Sequence, residues 1–175
     1  MPEARRRWIS SQTVYAGRSD SNAKRKYKTV VNSSHVDLRE FRFPEDYDVV
    51  MRFWESIEKG MHIGPSDTPE EIQKKIQRDP DLFLVAELNN EIVGTVIGGF
   101  DGRRGMIYHL AVAASLRGQG IGSRLMSEVE SRLRAKGCIK SYLVVLRNNI
   151  EAMKFYERIG WEAMDRDLLY GKEFE

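Results

Sequence analysis

Apolar residues alternate with polar ones through Val36-Asp-Leu-Arg-Glu-Phe, a period of two that predicts a first strand. Pro44 follows, suited to the first turn of a helix, where its missing N–H costs nothing. Val49, Val50, Phe53, Trp54 and Ile57 then recur at helical spacing, predicting a helix over about 45–59 that Gly60 ends. A loop with two breakers leads to Asp67 or Thr68 as the cap of a second helix, with Pro69 at its first position and Ile72 and Ile76 as a thin apolar face. Leu82–Leu88 and Ile92–Phe100 flank Asn89-Asn90 and read as a hairpin. A turn at 101–105 precedes a nearly continuous apolar run, Met106–Ala113, expected to be a central strand. Ile121, Leu125, Met126, Val129 and Leu133 mark a helix over about 120–136, stopped by Gly137. Ile139–Leu146 reads as a strand, Ile150–Ile159 as a helix, and the segment after Gly160-Trp161 as a closing strand pair ending near Tyr170.

The resulting order, β-α-α-β-β-β-α-β-α-β-β, is not a plain βαβ alternation. It predicts an α/β (mixed α+β) fold: a central twisted mixed sheet of about seven strands with helices on both faces. No internal repeat is visible, and 175 residues suffice for one well-packed core. Charge divides the chain. Residues 1–34 hold eight basic residues against two acidic ones, a net of +6, so the remainder carries −4 of the overall +2. The first 34 residues, without sustained periodicity, are expected to be a basic, flexible extension on a domain spanning 35–175. Such an arm could touch an acidic partner, nucleic acid or a second subunit, yet nothing in it looks like a nucleic-acid-binding motif.

One cysteine, Cys138, excludes an internal disulfide, and three scattered histidines give no metal-site spacing, so no metal is expected. No apolar run approaches the length of a membrane span, and the arginine-bearing start has no apolar core of a secretory signal. The expectation is a cytoplasmic protein that does not enter the membrane.

The stretch Leu110-Ala-Val-Ala-Ala-Ser-Leu-Arg117-Gly-Gln-Gly-Ile-Gly122 carries the chemistry. A strand enters a glycine-rich turn that becomes the first turn of a helix. That arrangement aims main-chain N–H groups and a helix dipole at one point, an anion site suited to a pyrophosphate. It is not the dinucleotide fingerprint, since no acidic residue follows a second parallel strand at the right distance. It is not a phosphate loop of the Gly-Lys-Ser/Thr type either. The expected contacts are the N–H groups of Arg117, Gly118, Gln119, Gly120, Ile121 and Gly122, with Arg117 adding charge.

Two further motifs follow in order: Asn149-x-x-Ala152-x-x-Phe155-Tyr156, then Tyr156-Glu-Arg-Ile-Gly160-Trp161. With Arg117-Gly-Gln-Gly-Ile-Gly they resemble the GNAT superfamily of acetyl-CoA-dependent N-acetyltransferases, over about Val36–Tyr170. Leu82-Phe-Leu-Val-Ala-Glu, Gly98-Gly-Phe-Asp-Gly and Tyr108-His-Leu-Ala-Val look more narrowly like small YpeA-type bacterial members. The resemblance implies acetyl-CoA as co-substrate, its pantetheine arm running along Leu110, Ala111 and Val112, and a main-chain N–H there polarising the thioester. It implies Tyr156 as the general acid that protonates the leaving thiolate, and Asn149 as a side chain touching the cofactor arm. A core tyrosine and a plain helix cap are the alternatives for these two.

The general base stays unassigned. In many relatives a carboxylate or histidine on the strand entering the glycine turn serves, directly or through water. Strict alternation puts Met106, Tyr108 and Leu110 on one face and Ile107 and His109 on the other. Relatives tend to place the base on the Tyr108 face, which here offers no carboxylate. Tyr108, His109 and Glu87 remain weak candidates. The loop 60–69, with His62, Ser66 and Asp67, is expected to shape the acceptor pocket. The leading function is acetyl transfer to a primary amine of a metabolite, peptide or protein. A catalytically idle acetyl-CoA sensor is the alternative, and a homodimer is possible by analogy with such folds.

Overall fold

A computed structural model describes residues 35–174; the basic segment 1–34 and Glu175 lie outside them, and with them the expectation of a flexible extension. The strands are β1 (Asp37–Glu40), β2 (Phe83–Leu88), β3 (Glu91–Phe100), β4 (Gly105–Val112) and β5 (Ser141–Leu143). The helices are α1 (Tyr47–Glu55), α2 (Pro69–Arg78), α3 (Ile121–Ala135) and α4 (Ile150–Arg158), with single 3₁₀ turns at Pro65–Asp67 and Ala114–Leu116. The sheet runs β1-β2-β3-β4-β5 in space, antiparallel except for the parallel β4–β5 pair.

β2 shows why the sheet is covered on both faces. Leu82, Leu84, Ala86 and Leu88 pack with Leu125, Met126, Val129 and Leu133 of α3. Phe83 and Val85, pointing the opposite way, pack with Val50 and Trp54 of α1 and Ile72 of α2. Phe83 is sandwiched in this second layer, stacked on Phe41 at 4.1 Å and on Trp54 at 5.9 Å. The buried Trp54 indole donates to Thr95 Oγ1 at 2.9 Å, satisfying its one polar atom. On the α3 face the contact is close enough to demand a glycine: a Cβ on Gly98 would lie 2.7 Å from Val129 Cγ2. Gly98→Val is therefore expected to destabilise the domain by about 1–3 kcal/mol, read as a lowered urea midpoint.

Several boundaries depart from the sequence pattern. Helix α1 ends at Glu55, where Ser56 Oγ donates back to Phe53 O at 2.6 Å, so the chain through Gly60 is a connection rather than helix. Val49 faces outward, with 40% of its surface exposed. Thr68, not Asp67, caps α2, accepting from Glu71 N. Asn89 and Asn90 both take left-handed φ (52° and 65°), as the tight hairpin requires.

The expected sheet of about seven strands has five among the described residues. β5 is three residues long, not eight, and residues 162–174 form no strand. The polar run Asp165-Arg-Asp interrupts the alternation there, and Leu168, Leu169 and Tyr170 lie exposed. The shortness of β5 reflects a parting of the sheet. β4 pairs with β5 only from Gly105↔Ser141 to Ile107↔Leu143, after which β4 continues to Val112 bound to β3 alone.

Candidate active site

The gap left where β4 and β5 part opens into a cleft of about 920 Å³. One wall is the end of β4: Leu110, Ala111 and Val112. Its floor is the glycine turn and the start of α3, with Arg117, Gly118, Gly120, Ile121 and Gly122. Its other wall is α4, with Asn149, Phe155 and Tyr156. Ten of the eleven residues expected to hold a cofactor thus line one space. Gln119 is the exception: its side-chain amide turns back to donate to Ser115 O at 3.4 Å.

The turn is built as the sequence demands. Gly118 and Gly120 have φ of 77° and 84°, a left-handed backbone that side chains with a Cβ adopt at a cost. The first main-chain bond of α3 runs from Arg124 N to Gly120 O (3.0 Å). The N–H groups of the first helical turn therefore have no acceptor within the helix, and they point out of its N-terminus at the cleft. Arg117 Nε donates to Val112 O at 3.1 Å, fastening the turn to the end of β4. A Cβ on Gly122 would stand 3.4 Å from Phe155 and 3.6 Å from Val112, so α3, β4 and α4 meet there.

Asn149 is a helix cap as well as a cleft residue, its Oδ1 accepting from Ala152 N at 3.2 Å. Its Nδ2 lies against Gly60, whose Cβ, if it had one, would be 2.6 Å away. The α1–α2 connection consequently folds over the cleft, and Ile57, Glu58 and Lys59 line it. Sequence reasoning missed these three; the signal it held was Gly60 itself, which in the structure turns the chain at a φ of 82°.

Tyr156 lines the cleft, with edge-on rings of Phe155 at 5.2 Å and Trp161 at 6.3 Å. Trp161 is itself held by Glu130, which accepts from its Nε1 at 2.9 Å. Burial pushes the Tyr156 phenol up to about 12, so the hydroxyl keeps its proton across the neutral range and is a donor there.

The three base candidates separate. Glu87 is bound to Arg39 at 2.7 Å, and Arg39 also holds Asp46 at 2.6 Å, so this carboxylate belongs to a structural ion cluster on β1–β2. Burial pushes Asp46 up, but Arg39 and the Arg42 N–H outweigh it and hold the carboxyl below its usual range. A carboxyl so depressed lends stability that is full above the unfolded carboxylate range and is lost as pH falls through the folded value. Arg39→Leu is expected to cost about 2 kcal/mol at neutral pH and to flatten this acid dependence, measured by denaturant melts from neutral to acid pH. Tyr108 is 46% exposed and lines a second cleft with Gly99, Tyr142 and Val144; burial pushes its phenol up, away from a base's range.

His109 is not where strict alternation placed it. Thr95 pairs with Ala111 and Ile97 with Tyr108, so His109 and Leu110 together oppose the single residue Val96. This is a β-bulge, with His109 itself at a left-handed φ of 50°. Ile107 packs toward α3, whereas His109 stacks edge-on against Trp54 at 4.4 Å, on the α1 face. Tyr108 lies opposite Ile97, another residue of that face, so Tyr108 and His109 share it. His109 Nε2 meets Asp67 Oδ1 at 2.9 Å. Of the loop residues expected near the acceptor, Asp67 is thus buried and engaged, while His62 and Ser66 are exposed.

Residues 47–161 match the family model described as Acetyltransferase (GNAT) family. The chain belongs to the GNAT acetyltransferase family. Among relatives, an acetyltransferase of Pectobacterium atrosepticum is 42% identical over 131 residues, covering 74% of this chain and 90% of its own length. Of solved structures, Ard1 from Thermoplasma volcanium is 27% identical with a TM-score of 0.62, over 72% of this chain and 82% of that one. The PaiA N-acetyltransferase from Thermoplasma acidophilum, solved with coenzyme A, shares the fold at 20% identity and a TM-score of 0.65, over 75% of this chain and 92% of that one. The mixed sheet with helices on both faces is therefore the GNAT fold. Among the described residues no cluster of His, Cys, Asp or Glu could hold a metal, and no helix is long and apolar enough to cross a membrane.

Proposed function

We propose that this GNAT-family protein transfers acetyl from acetyl-CoA to a primary amine by direct attack while both are bound, and that it stands near the small YpeA-type bacterial members. The observation that carries this reading is the cleft at the parting of β4 and β5, which joins an amide-rich helix N-terminus to a protonated tyrosine. Its volume suits a large ligand rather than a single amine.

The diphosphate of acetyl-CoA would rest on the N–H groups from Gly118 to Gly122, with Arg117 at the rim. The open main-chain edge of β4 at Leu110–Val112, freed by the loss of β5, would hold the pantetheine amides, and Ile57–Lys59 would close the opposite side. When bound, acetyl-CoA supplies a thioester carbonyl for the amine to attack. The chain's own part is to align the two reactants, polarise that carbonyl from the β4 main chain and give a proton to the departing sulfur from Tyr156.

The test is release of free thiol from acetyl-CoA over a panel of primary amines: spermidine, a lysine-bearing peptide and an aminoglycoside. Turnover with any of them is the expected result. Tight acetyl-CoA binding without turnover on any amine would replace this reading with that of a sensor.

A further inference from the structure

We propose that the acceptor is the α-amine at the N-terminus of a peptide, seated in the second cleft beside Tyr108. The inference rests on the acetyl-transfer reading above and narrows its primary amine to one class.

The second cleft, about 820 Å³, lies along the same parting of the sheet as the first. Tyr108, which lines it, follows Ile107, the last residue of β4 paired with β5, and stands two positions before Leu110, which lines the first. Val144 and Val145, where the chain leaves the sheet after β5, line it too. Their main chain makes no hydrogen bond among the described residues. Unpaired N–H and C=O groups suit another backbone laid beside them, as when a peptide adds to a sheet edge. Val144, Met164, Leu168 and Leu169 border the same space as exposed apolar side chains, the mark of a surface that a partner covers.

The charges argue against a polycation. Two carboxylates, Asp101 and Asp167, and two guanidiniums, Arg104 and Arg147, line the cleft. Asp101 is already engaged: its Oδ1 accepts from Arg103 N at 2.7 Å and from Arg104 N at 2.6 Å, and Arg104 Nε stands 3.7 Å from its Oδ2. Arg104 and Lys140 both lie over the Tyr142 ring, at 5.9 and 5.2 Å from its centre. Polyamines and aminoglycosides carry several ammonium groups and call for a surplus of carboxylates, which this cleft lacks. An amine borne on a largely uncharged, partly apolar chain fits it.

Protonation selects among such amines. Only a neutral amine attacks, and the three histidines and one cysteine of this chain, the side chains that titrate nearest neutrality, line neither cleft. The titratable residues of the second cleft are those four charges with Tyr108 and Tyr142, and burial pushes the Tyr108 phenol up. The amine is therefore selected for arriving neutral. Near pH 7.5 roughly a third of a peptide α-amine is neutral, against roughly one lysine side chain in a thousand. In the step, the nitrogen bonds to the acetyl carbon as the C–S bond breaks. The sulfur leaves with the bonding electron pair and takes the Tyr156 proton. The nitrogen sheds its proton to water, and water returns one to Tyr156, so the sum is N-acetyl peptide plus free thiol.

Thiol release from acetyl-CoA is followed with a short lysine-free peptide bearing a free N-terminus, the same peptide blocked at its N-terminus and carrying one lysine, spermidine, an aminoglycoside and free methionine. The peptide with the free N-terminus is expected to show the highest kcat/KM at neutral pH, by about 10-fold or more, with a profile that levels off above about pH 8. Equal or faster turnover of any other acceptor, or a profile still climbing past about pH 9, overturns the proposal. Arg147→Glu tests the seat. This exposed residue lines the second cleft and not the first, so the exchange should raise kcat/KM for spermidine severalfold at low salt with acetyl-CoA affinity unchanged. No change for spermidine would mean that the acceptor does not use this cleft. If the wild type binds no acetyl-CoA, or binds it and acetylates no amine, the acetyl-transfer reading fails and this inference with it. If it turns over but favours another acceptor, only the inference fails.

Discussion

Gly120→Val is expected to weaken acetyl-CoA binding about 10²-fold or more while the domain stays folded. Gly120 caps α3 at a φ of 84°, and the space where its Cβ would go is empty. The penalty is therefore not a clash. A β-branched side chain in the left-handed region costs about 1–3 kcal/mol, which the turn relieves by rotating out of that conformation. The N–H groups of α3's first turn then lose their common aim, and each 1.4 kcal/mol of lost binding is tenfold in affinity. Gly120→Asn separates backbone from bulk: asparagine adopts the left-handed conformation and is a good helix cap, so it should retain most of the affinity. Calorimetric titration of both variants checks the pair. Equal losses in both would mean that the backbone of this turn does not govern binding.

Tyr156→Phe should lower turnover by about 10²-fold with acetyl-CoA affinity nearly unchanged, the signature of a group that acts on the leaving sulfur rather than on binding. The ring's packing against Phe155 and Trp161 survives the change, so stability should hold. With the phenol pushed up to about 12, wild-type turnover should not fall on account of this group from neutral to about pH 10. Steady-state kinetics across that range reads both effects. Unchanged turnover in the variant would remove Tyr156 from the chemistry.

The elements were legible in the sequence because periodicity reports burial. Leu82 to Leu88 announced a strand, which the structure buries on both faces, and Ile121 to Leu133 announced a helix with one buried stripe. The glycine turn was legible because positive φ and close approach select glycine, and the structure puts Gly118 and Gly120 in that conformation. What the pattern could not carry was the β-bulge. A single extra residue between Tyr108 and Ala111 reverses which face the following side chains take, and period-two reasoning has no term for it. His109 was thereby assigned to the wrong side, and its partner Asp67, 42 positions earlier, looked like a helix cap. Ile57–Lys59 were illegible for a related reason: a connection is placed by what it covers, here Asn149 and the cleft, and not by its own pattern. The closing strand pair was over-read, since Leu168, Leu169 and Tyr170 supply apolar residues without the alternation that would bury one face.

Acetyl-CoA binding is expected to depend above all on the main-chain amides at the start of α3. Backbone amide resonances of the full chain, followed during titration with acetyl-CoA, test this directly. Saturable shifts that are largest at Gly118 to Gly122, with smaller ones at Leu110–Val112 and Asn149, are the predicted result. Saturable binding that leaves the 118–122 amides unmoved, or no binding at all, would contradict it.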